Sequence, residues 1–204
     1  MKEAGVAGSK AAQLRAVEDD LSRSTTLPLY EYRQKNGYHA VPGEGDPKAR
    51  IMFIGEAPGK QEAMSGRPFV GRSGRLLDGL LASIGLERGQ VYIANILKDR
   101  PPDNRPPHKD EIAQYTPFLL RQIAIIQPRL IATLGRFAME FILEEFKLPE
   151  LGCKISELHG QRLRGKTTYG PVTILPLYHP AVALYRRQQK ETLENDFETL
   201  REYV

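Results

Sequence analysis

Four side chains in this sequence have the type and setting to act on a flat ring with a hydrogen-bonding edge. Glu56 follows the apolar run 51–54, inside the segment Gly55-Glu56-Ala57-Pro58-Gly59. A carboxylate there can orient a water or stabilise a developing cation; it can equally cap nearby loop amides. Phe69, between Pro68 and Val70 in a glycine-rich loop, offers a face for a base, or else plugs the core beneath that loop. Asn95 interrupts the apolar run 91–97. Its amide needs partners for both oxygen and nitrogen, which a base edge or the following loop can supply. His179, between Tyr178 and Pro180, can donate to a developing oxyanion, or serve the structure alone. Taken one at a time, none of the four is decided.

Several other chemistries are disfavoured. Gly71 and Gly74 fit neither a dinucleotide fingerprint nor a phosphate loop, because no Gly-Lys-Ser/Thr follows. The histidines at 39, 108, 159 and 179 form no close pair with metal-ligand spacing, so zinc is not expected. The lone Cys153 makes neither an internal disulfide nor an iron–sulfur ligand set.

These residues depend on the elements that carry them. Ala11, Leu14, Val17 and Leu21 space a helix over 8–22. Residues 24–49, with three prolines, read as an irregular lead-in. Apolar runs predict buried strands at 51–54, 91–97, 130–134 and 172–175, the last ending at Pro176. Residues 55–72 read as a loop. A helix over 74–84 is capped by Ser73, ended by Gly85, and turns Leu77 and Leu81 inward. Further helices are expected at 109–126, kinked or split by Pro117, at 136–146 and at 181–202. A short hairpin is expected around Gly165 to Gly170. Strands alternating with helices give an α/β fold, a three-layer α/β/α sandwich around a central four-stranded, mainly parallel sheet. Ligands on such sheets bind beyond the carboxyl ends of the strands. The loops from Gly55, near Asn95, after Gly135 and at His179 therefore share one edge.

With 204 residues, the chain is expected to form a single domain, 1–204. No apolar run is long enough to span a membrane, and the N-terminus lacks the apolar core of a secretory signal, so a cytoplasmic location is expected. The net charge of +4 is compatible with a polyanionic partner. Arg72, Arg75, Arg100, Arg105, Lys109 and Arg186 flank the loops just named and can form a phosphate-binding rim, or simply a solvated basic surface.

Read together, the loop sequences resemble the family 4 uracil-DNA glycosylases. The segments that carry the resemblance are Gly55-Glu56-Ala57-Pro58-Gly59, Gly66-Arg67-Pro68-Phe69-Val70-Gly71, Ala94-Asn95-Ile96-Leu97-Lys98 with Arg100-Pro101-Pro102 and Asn104-Arg105, Thr133-Leu134-Gly135-Arg136, and Tyr178-His179-Pro180-Ala181. They follow the family's order over nearly the whole chain. The resemblance implies a glycosylase that flips uracil out of DNA, single- or double-stranded, and hydrolyses its glycosidic bond to leave an abasic site. It implies that Glu56 positions the attacking water and that His179 stabilises charge on the uracil oxygen. It also implies that Phe69 stacks on the base, that Asn95 reads its pairing edge, and that Gly55, Ala57 and Gly59 shape the pocket floor. Segment 182–185 is then the candidate wedge, with Leu184 foremost.

The sequence also departs from that family, whose members usually hold a four-iron, four-sulfur cluster on four cysteines. The matching positions here are Ser24, Leu27, Asp99 and Tyr115, so no cluster is expected. Leu27 and Tyr115 should pack there instead, and Asp99 should pair with an arginine. Ala63 and Tyr185 stand where the family usually has an acidic and a basic residue. No insertion separates Lys98 from Pro107, which disfavours the branch that crosslinks to DNA. The expected protein is a nucleoid-associated monomer needing no cofactor. Two alternatives stay open: a DNA-binding relative weak in catalysis, and a glycosylase for another deaminated base such as hypoxanthine or xanthine.

Overall fold

The computed structural model describes residues 8–184 and 187–203. Its centre is a six-stranded sheet in the order β1-β3-β2-β4-β6-β5. The four expected strands form its parallel middle: β2 (Ile51–Gly55), β3 (Tyr92–Asn95), β4 (Leu130–Leu134) and β6 (Gly170–Leu177). The four-stranded expectation thus falls short by two. The antiparallel edges β1 (Glu44–Gly45) and β5 (Leu163–Thr167) complete the sheet. β5 is the first arm of the expected hairpin, and β6 runs on through Pro176.

Every residue of β2, β3 and β4 is buried, as a sheet covered on both faces requires. Alternate side chains enter opposite cores. Met52, Ile54 and Ile131 pack with α1 (Lys10–Arg23), α5 (Lys109–Ile126) and α6 (Arg136–Glu145). Ile51, Phe53 and Ala132 face α4 (Arg72–Ser83) and α9 (Arg187–Glu198), where Phe53 stacks on Phe197 with ring centroids 5.8 Å apart. The result is the expected three-layer sandwich.

Short helices occupy stretches that read as irregular or as loop, α2 (Tyr30–Lys35) and α3 (Lys60–Ser65), and a third, α7 (Ile155–Leu158), lies where no element is expected. The expected helix 181–202 is broken into α8 (Pro180–Ala183), α9 and a final 3-10 turn, Thr199–Tyr203. Pro117 does not split α5, which is continuous across it. The proline is exposed, while Tyr115, Leu119 and Ile123 anchor the buried face of the same helix. Ser73 does not cap α4. Gly71 holds that position without a side-chain bond, and Glu62 supplies the missing acceptor from outside, taking the amides of Val70 (3.0 Å) and Gly71 (2.9 Å).

Candidate active site

The strands β2 and β3 stop side by side, with Gly55 opposite Asn95. Gly55 leaves room that nothing larger could. A Cβ there would lie 2.4 Å from Asn95 Oδ1 and 2.6 Å from the Phe69 ring. An amide and an aromatic ring therefore converge on one backbone position. Asn95 is 2% exposed. Its backbone carbonyl accepts from Lys98 Nζ at 2.9 Å, and the same ammonium donates to Pro42 O (3.0 Å) and Gln122 Oε1 (2.7 Å). Burial pulls the Lys98 pKa down to about 7, but three acceptors around one nitrogen suit the ammonium form.

The second pair of strands delivers the histidine. Leu134 of β4 lies beside Leu177 of β6, and Gly135 N donates to Leu177 O at 2.8 Å. Gly135, at φ +93°, brings its backbone against His179, whose Cβ would be 3.1 Å from any side chain placed there. His179 is the N-cap of α8, and Ala181 N donates to its Nδ1 at 3.1 Å. Burial pulls its pKa down to about 4, with Glu62 opposing, so the ring is neutral at neutral pH. Because Nδ1 accepts, the hydrogen bond assigns the ring proton to Nε2. The imidazole lies 5.7 Å from the Phe69 ring centroid at an interplanar angle of 31°.

Phe69, Asn95 and His179 line one cavity of about 320 Å³, with Ala57 and Gly59 at its wall. Glu62, Ser73, Asn104 and Ala181 complete the lining. None of these last four carried a site role in the sequence reading. Glu56 is not part of the lining. It lies next to Ala57, half-buried at the strand end, where burial raises its pKa above the ordinary carboxylate value and Arg136 opposes the rise. The arrangement offers a flat apolar face, an amide edge, a neutral N–H donor and a carboxylate of raised basicity beside them. Such a set can hold a planar base and stabilise opposite charges as a bond to it breaks.

The profile of the Uracil DNA glycosylase superfamily matches residues 42–202. The chain belongs to this superfamily. It is 43% identical over 190 residues to a Type-4 uracil-DNA glycosylase of Sulfurisphaera tokodaii, covering 93% of this chain and 84% of that one. A Type-4 uracil-DNA glycosylase of Archaeoglobus fulgidus is 44% identical over 171 residues, 84% of each chain. One of Saccharolobus solfataricus is 41% identical over 197 residues, covering 93% of this chain and 85% of that one.

In this superfamily member, the positions that the sequence resemblance sets against cluster cysteines, Ser24, Leu27, Asp99 and Tyr115, offer no iron–sulfur donor set. Arg33 NH1 donates to both Asp99 oxygens (3.0 and 3.2 Å), and the Tyr115 hydroxyl donates to Oδ2 at 2.6 Å. Asp99 thus has the arginine partner expected of it, and all three groups are buried. Leu27 is in the apolar core and has no donor atom. Ser24 hydrogen-bonds Asp20 O at 2.8 Å, and Cys153 is exposed elsewhere. Among the described residues, no group of three or more His, Cys, Asp or Glu side chains is placed to hold a metal. These residues do not fit an iron–sulfur cluster.

The expected DNA-contacting residues are placed unevenly. Arg72 is exposed at the start of α4. Arg105 is engaged in a bidentate pair with Glu111 (2.8 and 2.5 Å), so its charge is already compensated and it braces the proline-rich loop against α5. Leu184 is half-buried at the end of α8, and Val182 is the more exposed apolar residue there, at 39%. Tyr185 and Arg186 lie outside the described residues. Among the described residues, no helix is long and apolar enough to cross a membrane.

Proposed function

We propose that the cavity receives a uracil flipped out of DNA and that the chain hydrolyses the bond between uracil N1 and the sugar C1′, leaving an abasic site. The observation that carries this is the meeting of Phe69, Asn95 and the neutral, Nε2–H form of His179 in one cavity at the carboxyl edge of the sheet. The relatives named as uracil-DNA glycosylases support it.

A base inside a duplex cannot reach such a cavity, so it is extruded at a cost of a few kcal/mol. Phe69 stacks on the extruded ring, and the Asn95 amide pairs with its polar edge, while Gly55 and Ala57 keep the floor shallow. As the N1–C1′ bond stretches, electrons move to the base and positive charge to the sugar. His179 Nε2–H donates to the uracil oxygen that gains charge; one such oriented donor is worth roughly 3 kcal/mol. Glu56 lies next to Ala57 of the cavity wall, and in this reading it is the group that meets the water attacking C1′. It orients that water and offsets the sugar's charge. The water adds to C1′, and its proton leaves for the departing base. Arg72, Arg105 and Arg186 are the residues assigned to the DNA phosphates, Arg105 from within its pair with Glu111, and Leu184 is assigned to fill the gap in the stack.

The reaction as written needs no cofactor, and the engaged Asp99 and apolar Leu27 argue that this chain carries no iron–sulfur cluster. We take residues 1–204 as one domain acting as a cytoplasmic, nucleoid-associated monomer on single- or double-stranded DNA. The test is release of uracil from a defined oligonucleotide, with metal analysis of the same sample. Abasic product without iron supports the proposal; no product, or stoichiometric iron, opposes it.

A further inference from the structure

Phe69 has a conformation that its own sequence does not favour. Its φ is +48°, in the left-handed region that side chains larger than glycine or asparagine rarely adopt. A residue persists there only when its surroundings over-determine it. On one side, Glu62 takes the amides of Val70 and Gly71. Behind the loop, Gly74 allows an approach so close that a Cβ would lie 1.7 Å from Phe69 O. On the far side, one guanidinium collects the carbonyls. Arg88 NH1 donates to Phe69 O at 3.1 Å, and NH2 donates to Pro68 O.

Arg88 is itself fixed. Its Nε donates to Glu44 at 2.5 Å, its NH1 donates to Asp78 at 3.0 Å, and only 19% of its side chain is exposed. It sits in the short 3-10 turn Arg88–Gln90, before β3 and outside the cavity lining. Two carbonyls and two carboxylates around one planar fork is a geometry that lysine cannot reproduce.

We propose that Arg88 is a positioning residue for base recognition: it clamps the Pro68 and Phe69 carbonyls and so fixes the Phe69 ring as the face on which the flipped base stacks. Arg88 touches no substrate and acts through Phe69. The inference rests on the reading of the cavity as a uracil site, and the experiment separates the two.

Wild type, Arg88→Lys and Arg88→Met are compared for inhibition by free uracil, for excision under KM-limited and saturating conditions, for binding to undamaged duplex, and for Tm. Losing part of a base–aromatic stack should weaken uracil inhibition and raise KM by about tenfold in Arg88→Met. Arg88→Lys, which keeps the charge but not the planar fork that spans both carbonyls and both carboxylates, should be intermediate. Binding to undamaged duplex should stay at the wild-type level in both. If Arg88→Met fails to fold, Arg88→Lys carries the test. A lowered Tm with unchanged uracil inhibition and KM would reduce Arg88 to a structural brace and overturn the proposal. If wild type neither excises uracil nor is inhibited by it, the cavity reading itself fails.

Discussion

Replacing Gly55 by alanine probes the geometry of the cavity floor with a single methyl group. The added carbon would lie 2.4 Å from Asn95 Oδ1 and 2.6 and 2.7 Å from two atoms of the Phe69 ring. Relaxed contacts are roughly 3.5–4.0 Å, so each neighbour must retreat by about 1 Å. The backbone cannot absorb this, because Gly55 is in register with Asn95 and the Asn95 carbonyl is tied to Lys98. The amide and the ring must therefore turn away from the base. A displacement of that size costs about 10²-fold in rate, and overpacking lowers stability by about 1–3 kcal/mol. The assay is single-turnover uracil excision at saturating enzyme, with urea unfolding alongside. Gly79→Ala in α4 is the matched control, since a Cβ there meets nothing within 4 Å. It should leave the rate unchanged and add about 0.5–1 kcal/mol of stability. A Gly55→Ala protein with the wild-type rate would refute the reasoning.

Three further outcomes are expected. His179→Ala should slow excision by at least about tenfold, measured in single turnover, because it removes the Nε2–H donor. The folded pKa of His179 is about 4, below its ordinary 6.5, so between these values the unfolded chain binds a proton that the native one does not. Stability should fall as pH drops through that window, by up to about 1.4 kcal/mol per pH unit from this group. In the same window, kcat/KM should show no step centred at 6.5, and a step there would mean an ordinary solvated histidine. Asp99→Ala leaves Arg33 buried without its carboxylate, and urea unfolding should show a loss of about 3–5 kcal/mol.

The sheet's middle was legible because each buried parallel strand is a short unbroken apolar run between punctuating residues. Part of the candidate site was legible because Gly55 closes one run and His179 follows another, and the topology brings such ends together; Asn95 read as an interruption within 91–97, and it is the structure that ends β3 there. What the sequence hid is what pattern cannot encode. The edge strand β1 is two residues long and pairs through its backbone. Glu62 acts on amides eight and nine positions away. Arg105 pairs with Glu111, and no charge pattern in the sequence singles that partner out. Glu56, the first residue to suggest chemistry, stands beside the base cavity rather than in its wall.

The most direct measurement of the central claim is single-turnover incubation of the wild-type protein with an oligonucleotide containing one uracil. The products are scored for free uracil and for an alkali-labile site at that position. The account predicts both, in equal amounts, with the strand uncut before alkali. A folded protein that binds the oligonucleotide and releases no uracil would contradict it.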